Sequence, residues 1–187
     1  ITWDALKEKT IYIPHKGHVA DLVFQYLARQ NGLDPKKDLS VHYVSGPNEA
    51  VAQLIMGNAK YAIISEHAAT LAVIKGKKEG IALDKVMDLQ EEWAKATGKD
   101  AKIPIGGILI SGEFMQKHPD VVEALTNTLK HEITWIRQHP LAAGELAEKY
   151  VEGISKEMVA QVIPSVTFDY KATKEAQEEL ALSLIHI

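Results

Sequence analysis

The sequence predicts an α/β protein, one lobe with a mainly parallel sheet flanked by helices and then a helical C-terminal segment. Three observations carry that expectation. Short β-branched runs, Lys9 to Pro14 (KTIYIP), Ser40 to Val44 (SVHYV) and Tyr61 to Ser65 (YAIIS), alternate with amphipathic runs, the pattern of parallel strands joined by crossover helices. Each strand-like run passes into its helix through a short turn built from glycine, serine or histidine. Beyond a bend at Pro104 to Gly107 the strand-like runs give way to helical ones. This divides the chain into an open-sheet lobe, 1–104, and a return strand with C-terminal helices, 105–187.

Taken in order, Val19, Leu22, Val23, Tyr26 and Leu27 recur at helical spacing and form one apolar stripe, which Asn31-Gly32 ends. Ser45-Gly46-Pro47-Asn48-Glu49 opens a second helix. Pro47 suits the first helical position, with Gly46 or Ser45 as the cap. The helix then runs over Ala50, Val51, Leu54 and Ile55 to Gly57-Asn58, and a third covers Glu66 to Lys75. Val86 to Leu89 reads as a short strand, and Gln90 to Thr97 as a helix stopped by Gly98. Ile103 to Ser111 (IPIGGILIS) reads as a further strand, bent at its start by Pro104, Gly106 and Gly107. A long helix opens at His118-Pro119, carries Val122, Leu125, Leu129, Ile133 and Ile136 on one face, and stops at His139-Pro140. Further helices are expected over Leu141 to Val151, Ser155 to Ile163 and Thr173 to Leu182.

With 187 residues, 46% of them hydrophobic, the chain can bury a core and reads as a soluble globular protein. Net charge is -4 and the basic residues are scattered, which argues against a nucleic-acid surface. The absence of cysteine excludes disulfides, thiolate zinc sites and a cysteine nucleophile. No apolar run approaches the roughly 20 residues that cross a bilayer. The chain starts at Ile1 and not at a methionine, and is expected to be a piece of a longer one.

Ligands of open α/β sheets bind beyond the carboxyl ends of the strands, where turns lead into helix N-termini. Three such turns are legible: Pro14 to His18, Ser45 to Asn48 and Ser65 to His67. Helix N-termini present unpaired N–H groups and a positive dipole end, which suits an anionic or polar ligand. The candidate contacts are therefore His15, Lys16, Gly17, His18, Ser45, Gly46, Asn48, Ser65, Glu66 and His67. His15 and His18 also raise a metal site, but a pair supplies two ligands where structural zinc takes four, and no metal is expected. Tyr12, Tyr43 and Tyr61 in strands, and Trp93 and Trp135 on amphipathic helices, are expected to pack the core. His42, His118, His131 and His139 read as structural or solvent-facing. No nucleophile motif, phosphate loop or dinucleotide fingerprint occurs, so no catalytic residue and no cofactor is expected. The only arginines, Arg29 and Arg137, fall in helices away from the turns, which therefore lack a bidentate anion clamp.

The runs WDALKEKTIYIPHKGHVADLVFQYLARQNGLDPKKDL and SGPNEAVAQLIMGNAKYAIISEHAATLA resemble the second lobe of ABC-importer solute-binding proteins, in the branch of nitrate, sulfonate, taurine and thiamine-precursor binders. IPIGGILISGEFMQKHPDVVEALTNTLKHEITWIRQHPLAAGELAEKY is similar to that family's return strand and following helices. The likeness implies a type II periplasmic-binding fold, two lobes that close on a small-molecule solute and dock on a membrane permease. Pro104, Gly106 and Gly107 would then form part of the hinge. Helices after residue 105 would pack on a first lobe lying ahead of Ile1. A periplasmic or other extracytoplasmic location follows, with a lipid anchor through a preceding leader as one form of it, and a monomeric full-length protein. The same likeness extends to enzymes acting on a thiamine-pyrimidine-like metabolite, where His15 or His67 would be a general base or a consumed residue. It extends as well to ligand-sensing domains of regulators. The closing LSLIHI resembles a translated sequencing adapter.

Overall fold

A computed structural model describes residues 1–98, 103, 108–151 and 154–166. These fall into two compact units, one ending at residue 103 and one over 108–166.

The first unit is a small α/β domain. A 3-10 turn, Asp4–Leu6, precedes β1 (Thr10–Pro14), α1 (Val19–Gln30), β2 (Ser40–Val44), α2 (Pro47–Ile55), β3 (Tyr61–Ala62), α3 (Glu66–Lys78) and α4 (Leu89–Thr97). The three strands form one parallel sheet in the order β2-β1-β3, flanked by helices. As the central strand, β1 carries the core: Ile11 and Ile13 are fully buried and cluster with Val23, Phe24, Leu27 and Ala28 of α1 and with Trp3, Leu6 and Trp93. Tyr61 packs against this cluster as expected of it. A second cluster joins Val51 of α2 to Ala68 and Ala72 of α3. The buried arc of α1 is turned slightly from the predicted stripe. Phe24 and Ala28 are fully buried, whereas Val19 is 37% exposed, because α1 lies between β1 and α4, where Tyr26 meets Trp93 with ring centroids 5.2 Å apart.

Several boundaries match the sequence pattern, including β2, the Gly46 cap with Pro47 at the first turn of α2, and the left-handed Gly98 after α4. Others do not. The strand expected over Tyr61 to Ser65 pairs only at Tyr61–Ala62, with one further bond from the Ile63 N–H to the Tyr12 carbonyl at 2.9 Å. The next bond of a parallel ladder would need an N–H from position 14 of β1, and Pro14 has none. The strand expected over Val86 to Leu89 does not form. Asp88 instead caps α4, accepting the Gln90 N–H at 2.8 Å, and Leu89 is already helical. The third helix runs on past Lys75 to Lys78.

Of the strand expected over Ile103 to Ser111, residues 104–107 lie outside the described residues, and with them the hinge positions Pro104, Gly106 and Gly107. Ile103 has its N–H and carbonyl bonded by the Gln90 side chain, at 2.8 and 3.2 Å. Ile108 to Ile110 form no strand, and Leu109 is 96% exposed.

The second unit is helical where described: α5 (Gly112–Lys117), α6 (Pro119–Gln138), α7 (Pro140–Tyr150), α8 (Lys156–Val162) and a 3-10 turn, Ile163–Ser165. Pro119 and Pro140 occupy first-turn positions, where their fixed φ and missing N–H cost nothing. Along α6 no residue is buried; Val122, Leu129, Ile133 and Ile136 are half-buried and Leu125 is exposed. The helix expected over Thr173 to Leu182 and the LSLIHI terminus lie outside the described residues.

Candidate functional site

Parallel strand order carries the turns after β1, β2 and β3 to the carboxyl edge of one sheet. The first two are joined directly. The His15 N–H donates to the Val44 carbonyl at 3.0 Å, and the His18 N–H closes back on the His15 carbonyl at 3.1 Å. His15 adopts a left-handed backbone, φ 55°, and Gly17 does likewise at 79°. That region suits glycine and, among other residues, is visited chiefly by Asn, Asp and His. The His15 ring lies over Gly46, its atoms 3.9 Å from where a Cβ on that glycine would stand. It also faces the His18 ring, with centroids 4.8 Å apart. Both imidazoles are exposed. The Lys16 ammonium stands 5.4 Å from the centroid of the Tyr43 ring.

Beneath this turn lies a group the sequence reading missed. Asp21 is 1% exposed and accepts three hydrogen bonds, from the Gly17 N–H at 2.8 Å, the Gln25 amide at 2.9 Å and the Tyr43 hydroxyl at 3.2 Å. Tyr43 is therefore not a core residue, as its place in a strand suggested. It is 38% exposed on edge strand β2, its hydroxyl anchored on Asp21. Its partial burial, then the charge of Asp21 and the bond to it, push the phenol above its usual range.

The signal for Asp21 was present in the sequence. It holds the third helical position of α1, from which an acidic side chain reaches back to N–H groups ahead of the helix. Glu49 occupies the same position in α2 and accepts from the Ser45 N–H at 2.8 Å and the Ser45 hydroxyl at 2.6 Å. Those two bonds hold its carboxyl below the usual glutamate range. A depressed value means the stabilisation is present above the unfolded glutamate value and is lost as pH falls through the folded one. Glu49→Gln is accordingly expected to lower the melting temperature at pH 7 and to converge on the parent as pH falls below the ordinary glutamate range, as read by circular dichroism; a gap that does not narrow in acid would refute the assignment.

The third turn is organised separately. The Ser65 hydroxyl meets His67 Nε2 at 3.2 Å. Glu66 is bridged by the Lys85 ammonium and also accepts from the Thr70 hydroxyl at 3.3 Å. Among the described residues no hydrogen bond or ring contact joins Ser65, Glu66 or His67 to the first two turns. Asn48 is placed apart as well, lining a hollow with Val51, Ile55, Lys75 and Glu79.

No family model matches the chain, and no curated protein matches it. Among the described residues no three histidine, aspartate or glutamate side chains are arranged to hold a metal ion, and no helix is long and apolar enough to cross a membrane.

The hydrogen-bond accounting at the edge is one-sided. Its carboxylates are engaged: Asp21 by three donors, Glu49 by Ser45, Glu66 by Lys85 and Thr70. The Gly17 and Ser45 N–H groups, expected to meet a ligand, are spent on Asp21 and Glu49. Among the described residues, neither the His15 nor the His18 ring makes a hydrogen bond and Lys16 meets only the Tyr43 ring. Among the described residues the uncommitted groups of the joined turns thus include the two imidazoles, the Lys16 ammonium and the uncapped first N–H groups of α1 and α2.

Proposed function

We propose that the chain is a ligand-binding lobe of a solute-binding protein of an ABC importer, with type II periplasmic-binding architecture, which captures a small organic or anionic solute and delivers it to a membrane permease. The observation that carries this reading is the exposed His15-Lys16-His18 turn set against Gly46 at the carboxyl edge of a parallel sheet, its donors uncommitted. Capture needs complementarity and no covalent step. With the Gly17 and Ser45 N–H groups spent on internal carboxylates, these side chains and the uncapped N-termini of α1 and α2 are left to meet a solute. An enzyme on the same architecture, acting on a pyrimidine-like metabolite, is the second reading, because His15 is held in a left-handed backbone of the kind that gathers at reactive sites.

A thermal-shift screen of the full-length protein against sulfonates, nitrate, amino acids and pyrimidines tests the first reading. A true ligand at 100 times its Kd stabilises by about 2.7 kcal/mol, and the liganded protein should stimulate ATP hydrolysis by its reconstituted permease. Turnover of a pyrimidine without such stimulation supports the enzyme instead, and neither binding nor turnover refutes both.

A further inference from the structure

We propose that the His15-Lys16-His18 turn takes up protons together with an anionic solute, so that capture strengthens as pH falls through the range in which imidazoles become charged. This rests on the solute-capture reading and adds the regulation of that site.

The His15 and His18 rings carry nitrogens that no described residue engages. A neutral imidazole offers one donor and one acceptor; a protonated one offers two donors and a positive charge. With ring centroids 4.8 Å apart, His15 and His18 would repel each other when both are charged. An anion between them, with the Lys16 ammonium beside it, offsets that repulsion. Protons and anion then favour each other's binding by the same factor, as linkage requires.

The surrounding charges do not supply the same response. On the same turn Lys16 supplies an ammonium and no imidazole, 5.4 Å from the Tyr43 ring centroid. Asp21 of α1 is spent on Gly17, Gln25 and Tyr43, and Glu49 of α2 on Ser45. From β2, the Tyr43 phenol is pushed still higher, and His42 stacks on Tyr12 with centroids 5.3 Å apart. Across the edge, Glu66 is bridged to Lys85 and His67 lies against Ser65. The imidazoles at the joined turns are His15 and His18, and imidazole is the side chain whose ordinary charge change lies nearest neutral pH.

Sulfate and methanesulfonate make suitable probes, because neither changes its own charge between pH 5.5 and pH 8. Their affinity for the protein is measured by calorimetry in low salt, with imidazole resonances followed by NMR. The expected result is binding at least about tenfold tighter at pH 5.5 than at pH 8, with proton uptake visible as a dependence of the heat on buffer ionisation. The pair His15→Asn and His18→Gln should abolish the pH dependence, asparagine being chosen because it tolerates the left-handed region. Lys16→Met should weaken binding by the same factor at both pH values. Equal affinity at the two pH values, or no binding at either, overturns the proposal. So does an undiminished pH dependence in the double variant, which would move the effect to His42 or His67. The wild-type NMR titration decides the matter even if the double variant fails to fold. A screened solute that binds independently of pH overturns proton linkage and leaves solute capture standing; a proton-linked sulfate response with no solute and no permease stimulation does the reverse.

Discussion

Asp21→Ala is expected to destabilise the first unit by about 2 to 3 kcal/mol, measured by urea denaturation at pH 7. Three donors lose their acceptor at once. The Gly17 N–H and the Tyr43 hydroxyl lie where water can replace it, so each costs a net bond and not a full desolvation penalty. The carboxylate itself is the buried partner, and its removal also leaves a small void between α1 and β2. Asp21→Asn should fall between parent and Ala, since an amide can accept on one atom only. Tyr43→Phe, which removes one donor and leaves Asp21 two, should cost about 1 kcal/mol. The same series loosens the Gly17 turn, so the His15 and His18 resonances should shift in Asp21→Asn and stay closer to the parent in Tyr43→Phe. A loss below about 0.5 kcal/mol for Asp21→Ala would show that the network is ornamental.

Gly144→Ala carries the next largest effect and lies in the second unit. A Cβ there would stand 2.4 Å from the Lys156 carbonyl oxygen and 3.0 Å from its carbonyl carbon and Cα, all backbone atoms that no rotamer change can clear. To admit one methyl group, α7 and α8 must move apart, exposing Met158, which is buried in α8. Overpacking of this kind costs about 1 to 3 kcal/mol. Alanine is the better helix former by about 1 kcal/mol, which opposes the clash, so a net loss of about 1 kcal/mol is expected, with faster proteolysis between α7 and α8. The control Ala143→Gly, at a half-buried position with no backbone clash to relieve, changes mainly propensity and should cost about 1 kcal/mol. A Gly144→Ala protein as stable as its parent would mean that the two helices are not in backbone contact.

How far the fold could be read in advance depended on whether the deciding interaction was local. Pro47 and Pro119 mark helix starts because a proline's constraints act within its own turn; Pro140, read as the stop of α6, is also the first residue of α7. Gly98 marks a stop for a similar reason. The third strand was misjudged because its length depends on the partner it pairs with, and that partner carries Pro14 at the position where the ladder must continue. The strand expected at Val86 failed to a local competitor, the Asp88 cap, whose side chain favours the helix one residue on.

The candidate site divides along the same line. The two turns around His15 and Gly46 were legible from strand, glycine and helix in succession, and the structure joins them. Asp21 was legible in principle from its third-position placement. The exposure of Tyr43 was not, since alternation assigns a residue to a face of the sheet but does not say which strand lies at the edge.

By itself the sequence determined the α/β class of the first unit, the extent of its first two strands, most helix starts and the placement of the donor-rich turns. These follow from short-range sterics, periodicity and capping. Only the tertiary structure decided that β1 is central, that Tyr43 leans on a buried Asp21, and that the carboxylates at the sheet edge are consumed while the imidazoles are left with uncommitted nitrogens. Strand order and hydrogen-bond satisfaction are properties of groups distant in the chain. Local pattern can supply the partners, but only the fold pairs them.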